Sequence, residues 1–202
     1  MKTKKIVVSG AGNIVEAFGE VQKYAEFHNL SKKDALHLRL LTEETFGMLR
    51  EMTGNYTAFF YVEGNGKENN LNIDGKVDVD IWERDGLLAM AKDGKNMLAS
   101  GIMGKIRALV EEAALGLTEV NDSQLDYGYV LSASPFDMEA SQTQMWSLSA
   151  YRAGVESEKN SGKSTEAWDE LEKSIVANLA DDVQVGLLKG NIRMIIKYKS
   201  KG

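Results

Sequence analysis

The chain contains no cysteine, so it forms no disulfide, offers no thiolate to a metal and has no cysteine nucleophile. It has only two histidines, His28 and His37, and their spacing matches no metal-binding motif. We therefore expect no metal site built on histidine. The single proline, Pro135, and the lack of a proline-rich linker favour one domain over residues 1–202.

Long hydrophobic runs are also missing. No stretch approaches the about 18 apolar residues that a membrane-spanning helix needs, and the first apolar run, at 6–8, is shorter than that of a signal peptide. We expect a cytoplasmic protein with no membrane contact. The net charge is −6 and most basic residues are scattered, so the chain lacks the concentrated basic surface that nucleic-acid binding requires.

The apolar residues are spaced in ways that predict helices and strands. Three- and four-residue spacing predicts a helix over 13–28, and Ser31 followed by Asp34 resembles a capping box that begins a second helix over 32–52. The other predicted elements are a strand at 4–8, a strand at 56–63, a polar connection at 64–75, a hairpin of strands 76–82 and 87–91, a helix at 97–115, an irregular segment at 116–135, a helix from Pro135 to about residue 153, a polar loop at 154–164, a helix at 165–180, and strands at 183–188 and 191–198.

Consecutive hairpins in this order predict an α+β fold. We expect a two-layer sandwich, with a mixed and mostly antiparallel sheet that carries its helices on one face. The absence of an internal repeat agrees with a single domain.

Two glycine-containing segments resemble phosphate-binding loops only in part. The stretch from Gly10 to Val15 matches two glycines of the dinucleotide fingerprint, but Val15 replaces the third and a second helix follows where a strand is needed. The segment Gly162-Lys163-Ser164 lacks the earlier glycine of a P-loop, because Ser157 stands there. We interpret the first as a tight turn into a helix and the second as a solvated loop.

The second predicted helix carries a more informative pattern. Glu43 and Glu44 lie near the middle of the apolar segment LRLLTEETFGMLR, where a charge is costly unless it is exposed, paired or functional. Gly47 follows Glu43 by one helical turn, and a glycine inside a helix costs roughly 1 kcal/mol relative to alanine. This combination predicts close packing or the approach of a ligand at Gly47.

In this order of elements the chain resembles the GHKL (histidine kinase-like, or Bergerat-fold) ATPase superfamily, and within it the anti-sigma-factor serine kinases. The segment LLTEETFG at 40–47 occupies the place of the family's E-x-x-x-N motif, and Asp93-Gly94 follows a predicted hairpin as in D-x-G-x-G. The closing segment at 171–198 resembles the family's last helix and terminal hairpin. The resemblance implies a Bergerat-like fold, with a helical insertion at about 95–162 in place of the ATP lid.

The resemblance also implies roles for individual residues. Glu43 matches the glutamate that activates water or the attacking hydroxyl, and Asp93 matches the aspartate that accepts the adenine amino group. Gly47 stands where the family has the asparagine that binds Mg²⁺, and Lys95 replaces the second glycine of the D-x-G-x-G motif. The family therefore implies a site of Glu43, Gly47, Asp93 and Gly94 that binds ATP, with no metal ligand identified, the usual ligand for Mg²⁺ missing and kinase activity weak or absent.

Three interpretations of function stay open. In the first, the chain is a cytoplasmic regulator that acts by binding a sigma-factor or anti-anti-sigma-like protein, with ATP binding and a homodimer left open and kinase activity weak or absent. In the second, it is a non-catalytic protein-interaction domain that keeps the fold and has lost the nucleotide. In the third, it is a small-molecule enzyme with Glu43 as general base.

Overall fold

The structure is a computed structural model, which describes residues 1–9, 12–53, 56–77, 129–131, 144–160, 166–188 and 191–202. Helices and strands are numbered here among those residues. The strands are β1 (Ile6–Ser9), β2 (Tyr56–Gly64), β3 (Glu68–Val77), β4 (Tyr129–Leu131), β5 (Gln144–Ser147), β6 (Asp182–Leu188) and β7 (Asn191–Lys199). The helices are α1 (Ile14–Phe27), α2 (Lys32–Thr53), α3 (Leu148–Asn160), α4 (Glu166–Lys173) and α5 (Ile175–Leu179).

The seven strands form one sheet in the order β1-β2-β3-β7-β6-β5-β4, and every described pairing is antiparallel. The register aligns large apolar side chains into a row that crosses the sheet. Its members, each opposite the next on the neighbouring strand, are Ile6, Phe60, Ile73, Met194, Val185 and Trp146. All six are buried, so this face of the sheet forms one side of the core.

The helices supply the other side of the core. Helix α2 contributes Leu38, Leu41 and Leu49, and α3 contributes Tyr151 and Val155 to the same buried cluster. On the opposite face of the sheet, Phe59 is 47% exposed and Arg193 pairs with Asp74 at 2.6 Å. The fold is therefore an α+β sandwich with the described helices on one face, as the sequence predicts.

The first two helices confirm the sequence prediction to within one residue at each end. Helix α2 begins with the predicted capping box, because the Asp34 backbone N–H donates to Ser31 Oγ at 3.1 Å and the Ser31 hydroxyl donates to Asp34 Oδ2 at 2.6 Å. These bonds satisfy polar groups that the first turn of a helix otherwise leaves open.

The predicted polar connection at 64–75 is wrong. Only a short turn follows β2, and residues 68–77 form the strand β3, paired with β2 on one side and β7 on the other. Leu71 and Ile73 face the core, while asparagines fill alternate positions. The polar composition concealed the strand, because tertiary pairing overrides the low β-propensity of asparagine.

Four predictions in the second half of the chain are also wrong. Residues 144–147 form strand β5 rather than part of a helix, and α3 continues to Asn160, inside the predicted polar loop at 154–164. The predicted helix at 165–180 is two helices, separated at Ser174, whose hydroxyl accepts from the Ala177 N–H at 3.2 Å and begins α5. Residues 129–131 form strand β4 in the segment predicted to be irregular.

The predicted insertion at 95–162 is described only in part. Its described residues include two strands, β4 and β5, which extend the sheet beyond β6, and the helix α3. The insertion is therefore not wholly helical. The predicted strand at 87–91 and helix at 97–115 lie outside the described residues, as does the predicted strand at 76–82 beyond Val77.

Candidate functional site

Helix α2 has one face in the core and one face toward solvent. Its inward side chains include Thr42 and Thr45, which are buried and donate their hydroxyls to Leu38 O at 2.7 Å and Leu41 O at 2.5 Å. These hydroxyls are engaged by the helix itself, so they are not candidates for ligand binding.

The opposite side of α2 carries the predicted catalytic glutamate. Residues spaced alternately by four and three lie on one side of a helix, and the outward members of this set, called here the α2 outer row, are Leu36, Leu40, Glu43, Gly47 and Arg50. Leu36 is 53% exposed, and Glu43 and Arg50 are exposed as well. A carboxylate, a glycine and a guanidinium therefore follow one another along an accessible surface.

Gly47 has open space in front of it. Apart from its chain neighbours and the backbone of α2 itself, a Cβ atom built at Gly47 would meet no atom of the described residues within 4 Å. Close packing, one of the two explanations that the sequence offered for this glycine, is therefore not seen against any of the described residues. The space lies one helical turn from Glu43, where a ligand would contact both residues.

Asp93 and Gly94, the predicted adenine-binding residues, lie outside the described residues. The structure thus brings together Glu43 and Gly47, and leaves the other half of the predicted site undescribed. Within the described part of the chain, no group of three acidic or histidine side chains is arranged to hold a metal ion. The acidic pair Asp78 and Asp80 is also outside the described residues.

The predicted glycine turn falls between β1 and α1, and its residues 10–11 lie outside the described residues. The Gly12 N–H donates to Ser9 O at 3.0 Å, and Asn13 then leads into α1. Helix α2 follows α1 directly, and β1 pairs with β2 in the antiparallel sense. The β-α-β unit of a dinucleotide-binding site is therefore absent at this turn.

Sequence reasoning missed a buried polar cluster at the beginning of α2. The Tyr198 hydroxyl donates to Asp34 Oδ1 at 2.5 Å, and His37 Nδ1 lies 3.0 Å from the same hydroxyl. Because the tyrosine proton is given to Asp34, His37 Nδ1 is the donor in this chain of hydrogen bonds. The spacing of Ser31 and Asp34 revealed the cap, but no local signal could reveal a partner on β7.

The cluster changes the ionisation of its members. Burial raises the pKa of the Tyr198 hydroxyl, and the Asp34 carboxylate that accepts its proton raises that pKa further. Burial also opposes ionisation of Asp34, but hydrogen bonds from Ser31, Tyr198 and the backbone of the last residues outweigh it, so the pKa of Asp34 lies below its ordinary value. Both side chains are almost fully buried, which makes the cluster a structural connection between α2 and β7.

No model of a protein family matches the chain, and no match was found among curated proteins or solved structures. None of the helices in the described ranges is long and apolar enough to cross a membrane.

Proposed function

We propose that the chain is a cytoplasmic regulatory protein that binds a protein partner and binds an adenine nucleotide beside the α2 outer row. The observation that carries the proposal is the exposed Glu43 next to open space at Gly47. Among the described residues Glu43 has no ion-pair partner, and a carboxylate beside a helix glycine leaves room for a ligand on a rigid element of the fold. The resemblance of the sequence at 40–47, 93–94 and 171–198 to GHKL motifs is a second source of support.

The chemistry of the outer row favours binding over phosphotransfer. Glu43 can accept a proton from water or a hydroxyl, but Gly47 has no side-chain oxygen for Mg²⁺. Phosphoryl transfer depends on positioning and on neutralisation of phosphate charge, much of which the metal provides. Arg50, exposed on the turn after Gly47, supplies a fixed positive charge on the same surface. We therefore expect nucleotide binding with little dependence on Mg²⁺ and slow or no transfer.

The partner class follows from the resemblance alone. The anti-sigma kinase group implies a sigma-factor or anti-anti-sigma-like protein as the partner. It also implies a homodimer as the oligomeric state. A non-catalytic interaction domain on the same fold is the competing function.

Titration with ATP and with ADP, each with and without Mg²⁺, tests the nucleotide part of the proposal. Calorimetry measures the affinity, and thermal unfolding checks it, because a ligand at 100 times its Kd stabilises the native state by about 2.7 kcal/mol. We expect saturable binding that Asp93→Asn abolishes. The test of the α2 surface is Glu43→Gln, with Glu44→Gln as the matched control from the neighbouring position.

The variants distinguish the interpretations. Binding that Glu43→Gln changes and Glu44→Gln leaves intact supports a site on the α2 outer row. Gly47→Asn, which restores the missing amide, should make the affinity for ATP dependent on Mg²⁺. If millimolar ATP and ADP give neither heat nor stabilisation, the nucleotide proposal fails and the interaction-domain function replaces it.

A further inference from the structure

Among the strands of the described residues, β1 lies at one end of the sheet and pairs with β2 alone. An end strand directs a row of backbone N–H and C=O groups away from the sheet, and such a row can pair with a strand of another molecule. The sequence of β1 is β-branched, and Val7 is 45% exposed. By its composition, β1 is suited to pairing with a further strand.

The chain covers this row with the turn that follows β1. Gly12 N–H donates to Ser9 O at 3.0 Å, Ser9 N–H donates to Gly12 O at 3.5 Å, and Asn13 Nδ2 donates to Val7 O at 2.9 Å. Residues two apart in an antiparallel strand direct their backbone groups to the same side. Val7 and Ser9 therefore share the outward row, and the turn occupies both backbone groups of Ser9 and the carbonyl of Val7.

The Asn13 side chain bonds to strand β1 and does not cap helix α1. It has φ 65 and ψ 7, in the left-handed region that asparagine tolerates better than most residues. A residue just before a helix commonly uses its side-chain oxygen to cap the first turn, but Asn13 makes no such bond to α1. Its amide is given to β1 instead.

We infer that Ser9, Gly12 and Asn13, called here the edge clasp, keep β1 from pairing with β1 of a second copy of this chain. A second copy is the partner that fits, because two identical end strands can pair in the antiparallel sense about a two-fold axis. That pairing would continue the sheet from one molecule to the next and cover Val7 of both copies. The proposal does not depend on the nucleotide site.

The experiment compares self-association of the full chain with that of Asn13→Gly, by sedimentation and light scattering over a concentration series. Glycine keeps the left-handed backbone available and removes the amide that bonds to Val7 O. The matched control is Asn29→Gly, since Asn29 is the other described non-glycine residue with positive φ, at 50, and it lies between α1 and α2. Val7→Lys in the Asn13→Gly background places a charge on the proposed pairing strand.

We expect Asn13→Gly to lower the dissociation constant for self-association by roughly tenfold or more relative to the unchanged chain. Asn29→Gly should leave it unchanged, and Val7→Lys should reverse the effect. Asn13→Asp, which keeps the shape and loses the donor, gives the same test if the glycine variant does not fold.

Three results would overturn the inference. The first is a folded Asn13→Gly or Asn13→Asp chain that associates no more than Asn29→Gly. The second is new association that Val7→Lys does not reverse. The third is failure of both Asn13 variants to fold, since the clasp would then be a requirement of the fold and not a guard of the edge.

Discussion

Asp34 is 2% exposed, and several hydrogen-bond donors surround its carboxylate. Ser31 Oγ lies 2.6 Å from one oxygen, and the other accepts from the Tyr198 hydroxyl at 2.5 Å and the Lys201 N–H at 3.0 Å. A buried charge is tolerated when its hydrogen bonds replace those of water. At the scale of single residues, Asp34 fixes the start of α2 to the end of β7.

Asp34→Asn should destabilise the protein by about 2–3 kcal/mol, because hydrogen bonds to a charged group contribute more than hydrogen bonds between neutral groups. In addition, the NH2 group of the asparagine would face groups that donate hydrogen bonds to the Asp34 carboxylate. Urea unfolding measures the change. The control is Glu16→Gln, which removes a carboxylate paired with Lys4 at 3.3 Å on the surface and should cost about 0.5 kcal/mol or less. Equal effects of the two substitutions would contradict the role given to Asp34.

The two glycines at 47 and 75 contrast in what surrounds them. A Cβ at Gly75 would lie 2.7 Å from the Cβ of Ala58, its partner on β2, whereas a Cβ at Gly47 would meet no described atom outside the α2 backbone within 4 Å. Gly75 is thus required by the packing of β3 on β2. No packing among the described residues requires Gly47.

Gly75→Ala should cost about 1–3 kcal/mol through overpacking, and Gly47→Ala should instead stabilise α2 by up to about 1 kcal/mol. Thermal and urea unfolding of the pair provide the measurement. A Gly47→Ala protein that is more stable but binds nucleotide less well would indicate that the open space belongs to a ligand. Loss of stability at Gly47 would show that the helix tolerates no side chain there.

At the scale of elements, the sequence predicts a helix or strand correctly where the segment has its own hydrophobic periodicity. It fails where the structure of the segment depends on pairing with strands elsewhere in the chain. Helices α1 and α2 and the β6–β7 hairpin follow from local spacing, with β7 alternating buried and partly exposed residues along its length. Strand β3 does not follow from local spacing. Asn69 and Asn72 are buried polar residues, and they are stable in a strand only when neighbouring strands and helices supply hydrogen-bond partners. The Asn69 amide donates to Tyr198 O at 3.2 Å and accepts from Tyr24 OH at 2.8 Å, which no reading of 64–75 alone could reveal.

For the whole molecule, the fold class was predictable and the strand order was not. Hairpins between neighbours in sequence are local, but the position of β7 between β3 and β6 depends on contacts between distant parts of the chain. The candidate site, too, was predictable only in part. Periodicity placed Glu43 and Gly47 on one helix, while the outward direction of that surface emerged only from the packing of α2 on the sheet.

The stability of the whole molecule should rise with pH near neutrality through His28. Burial lowers the pKa of His28 below its ordinary 6.5, and the nearby positive amino terminus acts in the same direction. As the pH falls, His28 is therefore protonated in the unfolded chain before it is protonated in the folded one. Its contribution to the free energy of unfolding is fully present above about pH 6.5 and is lost as the pH drops toward the folded-state pKa.

Urea unfolding at a series of pH values checks this expectation. The unchanged chain should lose more stability between about pH 7.5 and 5.5 than His28→Gln does, because the substitution removes the titrating ring. Asp34 should add a further loss only at more acidic pH, because its pKa lies below 3.8 in the folded state. An identical pH dependence for the two proteins would rule out His28 as the source.

The position of β7 also has a consequence for the order in which the molecule can assemble. Strands β1 to β3 form one side of the sheet and β4 to β6 the other, and β7, which follows all of them in the sequence, is the strand that joins the two sides. During synthesis both sides must wait, with their inner edges unpaired, until residues 191–199 have left the ribosome. Contacts between residues so far apart in the chain slow folding, and unpaired strand edges are prone to aggregation. The pairing of β7 with β3 and β6 is therefore expected to be among the slower steps in the assembly of this sheet.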